Sequence, residues 1–509
     1  MLRTLQAFWR DQSGIALILV AIMLPVIIGF SLLVIDMSRA NTLHNDLQKA
    51  ADAFALAAAA ELDGQSDSIV RAERALITLV QNQYNFSGDS GPQILARAGI
   101  DRRFLSSLPP TVNGVDGDAR PITASYQIAN ELTDAKLARY VEVTVRPVGF
   151  QTIFPASFLT GNAASNSFNV GATAVAGFKS GVCDYTPVFI CNPYEDTSVT
   201  GGVTLEQAAN TREYRRRQIL LRNDKFYGPG NFAFLASPFG NGADELKDML
   251  AKVKPLGCYS RDGVDTEPGQ NTGPVEDGLN ARFGISHKYM NTPDGPAANV
   301  RMGLKSISCN GNPKPEFHPI QTDQQKEMGV GLERDPCQYV GSCPYMDGRM
   351  GRGDWNFDRY WRANHTVPAT TGQPRPHPFP TSGPNMPTRY EIYRYELDPD
   401  GNPLTNDSIV GDASKGGEKG TPACGQTPVT TVDRRILYGA ILDCKALAAA
   451  GYSLSGRQKD VPVRAFGSFF ITEPIKDDKE IYVELVDITG KGGRGTLDNF
   501  LRDEAQLYR

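Results

Sequence analysis

The chain has no basic excess, few histidines and no cysteine in its first 182 residues. Its 52 Lys and Arg against 57 Asp and Glu leave a net charge of −5 over 509 residues. Nothing in that balance neutralises a phosphate backbone, so no nucleic-acid partner is expected. The five histidines, His44, His287, His318, His365 and His377, include no pair at metal-ligand spacing. A zinc or other metal centre needs such a pair on one helix face or turn, so no metal and no cofactor are expected.

Catalytic strings are missing as well. Gly451-Tyr452-Ser453-Leu454-Ser455-Gly456 fails the nucleophile elbow at its second glycine. Gly490-Lys491-Gly492-Gly493-Arg494-Gly495-Thr496 lacks the Gly-Lys-Ser/Thr ending of a phosphate loop and reads as a flexible basic loop. Asp398-Pro399-Asp400-Gly401 opens like a calcium loop, but Pro399 stands at its second position and Ile409 at its twelfth, where a glutamate is needed. An ordinary turn is expected there. Arg352-Gly353-Asp354 reads as a chance tripeptide in a Gly-rich loop, and Arg215-Arg216-Arg217 as a solvated edge rather than a contact for an acidic partner. No catalytic residue is assigned, and the chain is not expected to be an enzyme.

Cysteine usage points to an oxidising compartment. The eight cysteines, Cys183, Cys191, Cys258, Cys309, Cys337, Cys343, Cys424 and Cys444, are even in number and contain no CxxC pair. Disulfides fit this better than a zinc site, with some free buried thiols as the competing reading. Sequence cannot choose among the 105 pairings of eight cysteines. The simplest expectation joins nearest neighbours: 183 with 191, 258 with 309, 337 with 343, 424 with 444.

One long apolar run is present. Ile15 to Ile35, with Pro25 inside it, are 21 consecutive uncharged residues. A helix of that length spans about 31 Å, the thickness of a bilayer core. A cleaved signal peptide competes, with Ser38-Arg39-Ala40 as its small-x-small site, but its apolar region is shorter, about 7–15 residues. A retained span is therefore expected, kinked at Pro25. Arg3 and Arg10 precede it with Asp11, while Arg39 and Lys49 follow among Asp36, Asp46 and Asp52. The denser basic pair favours a cytoplasmic N-terminal tail, residues 1–14.

Beyond the span, residues 36–62 continue as an Ala-rich helix. Leu43, Leu47, Ala50, Phe54, Ala57 and Ala58 recur on one face, and Asp63-Gly64 stops it. That face packs either on a second copy, giving a homo-oligomer, or on the chain's own next domain. Residues 63–180 read as a small α+β unit. A second helix is expected over Asp67–Tyr84, a strand over Tyr140–Val145, and neighbouring strands over Thr152–Leu159 and Phe168–Phe178. The pair Pro109-Pro110 marks a loop. From 181 to 509 the chain is a cysteine-containing body. Its apolar runs are Gln218–Leu221 and Phe232–Leu235, with a helix over Ala243–Lys252 and strands over Ile436–Leu442, Val463–Thr472 and Ile481–Ile488. Residues 363–388 hold seven prolines, Pro368 among them, and read as an extended surface loop. The 50 glycines and 34 prolines fill about one position in six, which fits a loop-rich fold. The fold class expected is α+β: one transmembrane helix running into a long amphipathic helix, then a mixed antiparallel-sheet, disulfide-containing body.

Several strings resemble a known family. Asp11-Gln12-Ser13-Gly14, Leu24-Pro25, Ile35-Asp36-Met37-Ser38-Arg39 and Leu47-Gln48-Lys49-Ala50-Ala51-Asp52-Ala53 are similar to the N-terminal region of TadG-like proteins of the tight-adherence (Tad, Flp) pilus system. Gly14, Asp36, Arg39, Leu47, Gln48, Ala51 and Asp52 carry the likeness. Segments 182–195, 228–235, 278–283 and 433–444 resemble larger members. The resemblance implies a single-pass inner-membrane protein with a periplasmic body that assists pilus assembly beside other Tad machine proteins, and it brings no catalytic residues. Two features of related proteins are missing. No Asp-x-Ser-x-Ser metal string exists, since Arg39-Ala40 follow Asp36-Met37-Ser38 and Lys415-Gly416 follow Asp412-Ala413-Ser414. The fifth residue after Gly14 is Leu19 rather than the glutamate that marks pilin processing, so the chain is expected to stay anchored. A membrane-tethered periplasmic enzyme or ligand-binding protein, or an adhesin released near Ala40, are the alternatives.

Overall fold

The computed structural model describes residues 13–508 except 65, 79–81, 86–90, 96, 110–120, 223–227, 237–242, 253–256, 262, 268–271, 286–292, 311–312, 319–329, 367–372, 403, 412–417, 425–426, 431–432, 455, 477–479 and 491. Outside them lie most of the N-terminal tail, with Arg3, Arg10 and Asp11, as well as Val80, Pro110, Pro368, Asp412-Ala413-Ser414, Ser455 and Lys491. Gly14 and Ile15 are placed by their helical backbone alone. The chain divides into two compact units, Met1–Ser180 with Asp503–Arg509, and Gly181–Arg502.

The first unit is organised by one helix, α1 (Ser13–Ala59), 47 residues and so about 70 Å long. It continues through Pro25, whose missing N–H leaves one helical carbonyl without its partner. Its environment changes along its length. Between Ile18 and Ile35 every side is exposed and apolar, save for half-buried Gly29 and Leu32. From Asp36 onward one face is covered: Leu43, Leu47, Ala51, Phe54, Ala55, Ala58 and Ala59 are at most 1% exposed. A helix apolar all round is not one that water solvates, and α1 is long and apolar enough to cross a membrane.

What covers that face is the unit's own sheet. Strands β1 (Asn82–Tyr84) and β2 (Gln93–Leu95) form a small ribbon. Strands β3 (Ile100–Leu105), β4 (Tyr140–Gln151) and β5 (Ser167–Tyr185) pair antiparallel, and the C-terminal strand Leu501–Leu507 adds beside β5. Register sets Val141 opposite Ala176, Val143 opposite Ala174 and Val145 opposite Ala172. All six are buried in one core with Leu47, Ala51, Phe54 and Ala58 of α1. Alanine on both helix and strand lets the backbones approach closely. Burying Leu47 and Phe54 stabilises by about 1.5–3 kcal/mol each. The chain's own sheet occupies that face, as the second of the two sequence readings had it.

Two local expectations also change. Helix α2 is shorter than expected, Ser68–Thr78, and Asn82–Tyr84 is the strand β1. Thr152–Leu159 is not a strand. Pro155 has no N–H for a ladder, and the segment turns into a short helix α3 (Ala156–Thr160), closed by Gly161 at φ +69.

The second unit holds a seven-stranded sheet. Its strands are β6 (Val188–Cys191), β7 (Gln218–Leu221), β8 (Phe232–Leu235), β10 (Thr266–Glu267), β13 (Ile436–Leu442), β14 (Ala465–Ile471) and β15 (Ile481–Ile488), in the order β10-β8-β6-β13-β14-β15-β7. Only the β6–β13 pair in it is parallel. Apart from this sheet, β9 (Gly257–Ser260) pairs with the end of β5, and β11 (Leu304–Ser308) pairs with β12 (Lys314–Phe317). The expected helix over Ala243–Lys252 is Ala243–Ala251. The Pro-rich segment is not surface throughout: a helix, α4 (Phe357–His365), reaches its start, and Met386, Pro387 and Thr388 are buried at its end.

The cysteines pair as 183–258, 191–444, 309–424 and 337–343. Three of the four nearest-neighbour expectations are thus overturned, because strand pairing decides proximity. Cys183 stands opposite Cys258 in the β5–β9 pair, and Cys191 ends β6 opposite Leu442, two residues before Cys444.

Loops in this unit are tied to the sheet by buried arginines. Arg434 donates to the carbonyls of Gly295, Lys252, Ala251 and Asp294, and Arg435 to those of Ile471, Thr472 and Asn299. Burial holds both guanidinium groups down to about 10. The Arg215–Arg217 cluster is corrected in the same way. All three are at most 7% exposed, and Arg216 donates to the carbonyls of Gly353, Pro384 and Met386. A buried loop carbonyl needs a donor, and the five-donor guanidinium supplies several at once.

Candidate functional site

Of the family-like residues, Asp36 and Arg39 stand where α1 changes from exposed to covered. Among the described side chains of α1, Asp36 is the first that is nearly fully buried, at 4% exposed. Its Oδ2 accepts the backbone N–H of Phe154 at 2.7 Å and that of Ile153 at 2.8 Å, and its Oδ1 accepts Arg39 Nη1 at 2.9 Å. Arg39 in turn lies over the Phe150 ring, 5.1 Å from its centroid, and reaches the Gln151 carbonyl. The carboxylate thus caps the chain reversal after β4, and the guanidinium clamps the strand end that leads into it.

The next motif residues repeat this division of labour. One ring nitrogen of His44 lies 3.1 Å from the Gly171 carbonyl. Gln48 Nε2 donates to the Thr173 carbonyl at 3.1 Å and to Asp52 Oδ1 at 2.8 Å. Leu47 and Ala51 are fully buried beneath them. Polar residues at 36, 39, 44 and 48 fix the helix along the strand edge, Asp52 accepts from Gln48 within the helix, and the apolar residues fill the gap. Pro25 and Ile35 lie in the exposed stretch, as does the rest of the expected span wherever its side chains are described. Sequence reading found Asp36 and Arg39 but missed their partners Phe150, Gln151, Ile153 and Phe154. The signal was Pro155, which rules out a ladder strand there.

The second unit offers less for small-molecule chemistry. A cavity lined by Phe317, His318, Leu332, Glu333, Glu473 and Lys476 leaves about 20 Å³ for the centres of water-sized molecules, room for one or two waters. Its acids are engaged, Glu333 with Arg359, and Glu473 with Arg334 and Lys476. A second polar cluster is wholly buried. Glu396, on helix α5 (Arg389–Leu397), accepts from Tyr360 at 2.8 Å and from Asn299 at 2.6 Å, and lies 2.7 Å from His365 Nε2 and 3.5 Å from Arg301. Burial alone would raise this carboxyl, but Arg301 first, then His365 and Tyr360, hold it at about 2. The cluster joins α4 to α5.

Asp398-Pro399-Asp400-Gly401 forms a turn that Asp407 joins, with one oxygen of Asp398, Asp400 and Asp407 within 4.8 Å of one another. Asp400 Oδ1 accepts from the Asn402 N–H and the Thr405 hydroxyl. In the Arg-Gly-Asp string, Gly353 is buried, at φ +75, and its N–H donates to Asp335 Oδ2.

Neither a curated protein nor a solved structure matches the chain. Residues 14–61, from the start of α1 to just past its last turn, match the family model "Putative Flp pilus-assembly TadE/G-like", so the region that carries Asp36, Arg39 and the buried Ala-rich face resembles the TadE/G-like pilus-assembly proteins.

Proposed function

We propose that the chain is a non-enzymatic, membrane-anchored component of Tad/Flp pilus assembly that acts through protein–protein contacts. Its N-terminal tail lies in the cytoplasm, the first half of α1 crosses the inner membrane, and the rest of the first unit and the whole of the second stand in the periplasm. The observation that supports this most is the coincidence of the TadE/G-like match with the whole of α1, exposed and apolar to Ile35 and packed beyond it. Four disulfides fit an oxidising compartment. Partners are other proteins of the pilus machine, and they meet surfaces other than the Ala-rich face, which the chain covers itself.

Deleting the gene in a piliated strain is the test. Surface pili are expected to fall, and to return when the full-length chain is supplied. Unchanged piliation in a strain that normally makes the protein would contradict the proposal.

A further inference from the structure

The reversal between β4 and β5 has an unusual surface. From Pro147 to Phe178 the chain runs for 32 residues with no Asp, Glu, Lys or Arg. Within it Ile153 is 51%, Phe158 87%, Leu159 73% and Phe168 46% exposed. Large apolar side chains gathered at one tip are not how a soluble loop is dressed. Several of the tip's polar groups are instead satisfied internally. Asp36 takes the N–H groups of Ile153 and Phe154, Asn166 Oδ1 takes that of Ser157, and Asn162 takes that of Ala164. The Thr160 hydroxyl bonds Ser165. Such economy suits a region short of water.

Its position along α1 decides the partner. A Cβ on Gly29 would lie 3.6 Å from the Phe154 ring, and Gly29 and Leu32 are the two half-buried residues of the otherwise exposed stretch. Gly29 precedes Asp36 by seven residues, about 10 Å along a helix. The tip therefore reaches back beside the apolar stretch instead of ending at its edge. With Ile15–Ile35 across the bilayer, a segment at the level of Gly29 lies below the headgroups.

We propose that the tip over residues 152–168 is a second membrane contact, dipping into the outer face of the bilayer with Phe154, Phe158 and Leu159 among the lipid chains. This rests on the reading of Ile15–Ile35 as the span, and continuity with that span selects lipid as the occupant. Insertion to about 5–10 Å is the usual depth of such interfacial elements. Two contacts, one through the bilayer and one in its surface, would set the height of the first unit and restrain rotation about α1.

The test uses full-length protein in vesicles of phosphatidylethanolamine and phosphatidylglycerol, with bromine placed either near the headgroup or near the chain ends. Emission of Trp9, Trp355 and Trp361 in the unsubstituted protein is subtracted. Three variants are compared: Phe158→Trp at the tip, Ile22→Trp in the span, and Leu137→Trp, which neighbours Lys136 beside Gly64 at the far end of α1. Phe158→Trp is expected to lose the larger part of its emission to shallow bromine, Ile22→Trp to deep bromine, and Leu137→Trp to neither. A Phe158→Trp signal as unquenched as that of Leu137→Trp, with Ile22→Trp quenched, would overturn the tip contact and leave the span intact. An unquenched Ile22→Trp would overturn the span itself, and the tip contact with it.

Discussion

Asp36 Oδ2 accepts the backbone N–H of Phe154 at 2.7 Å, across 118 positions of sequence. One carboxylate at the end of an apolar run thereby holds a remote chain reversal against the helix. The relationship explains why an acidic residue stands at that place in the motif, where a solvated charge would need no partner.

Removing that carboxylate tests the clamp. Asp36→Ala leaves the N–H groups of Ile153 and Phe154 without their acceptor and Arg39 without its ion pair. Hydrogen bonds to charged groups contribute about 1.5–3 kcal/mol each, so a stability loss on the order of 3 kcal/mol is expected in denaturant unfolding. Limited proteolysis should become faster within 152–166 before it does elsewhere. Unchanged cleavage there would show that the clamp is not needed.

The covered Ala-rich face gives a second expectation. Ala51→Leu adds volume where the residue is 0% exposed, and is expected to cost about 1–3 kcal/mol, while Ala60→Leu, at an exposed site, costs little. Equal tolerance at both positions would mean the face is open and free to meet a partner.

Acid should find Glu396. Its folded value of about 2 lies below its ordinary 4.5, so its contribution is fully present above 4.5 and is lost as pH falls towards 2. That shift corresponds to about 3 kcal/mol across the window. Unfolding followed by pH should show this loss in the unsubstituted protein, and Glu396→Gln should remove it while lowering stability at neutral pH. The same acid slope in both proteins would contradict the assignment.

The disulfides should differ in worth. Cys191–Cys444 closes 253 residues and Cys337–Cys343 closes 6. Loop entropy gives about 5.5 kcal/mol for the first and about 2 kcal/mol for the second. Cys→Ser pairs at each, compared by thermal unfolding, should rank in that order. A larger loss at 337–343 would point to local packing instead of chain restriction.

Hydropathy made α1 legible, because a run of 21 uncharged residues followed by a three- and four-step apolar stripe admits few other readings. Strands β13 and β15 were found at their observed ends for a similar reason: short, branched and apolar runs bounded by polar residues. The disulfide pattern was not legible. Cys191 meets Cys444 only because β6 lies parallel to β13, a pairing that no local signal encodes. Nor was the burial of Arg216, since its partners are loop carbonyls more than a hundred residues away, such as those of Gly353 and Met386. At the membrane exit the sequence showed half of the site. Asp36 and Arg39 stood in a recognisable string, while Ile153 and Phe154 carry only backbone N–H groups to it.

Affinity capture of the tagged full-length chain from cross-linked, piliated cells, with the mass of its intact N-terminus, tests the anchored assembly role most directly. Recovery of pilus-machine proteins together with a chain that still carries residues 1–14 is the expected result. A product beginning near Asn41 without those partners would contradict it.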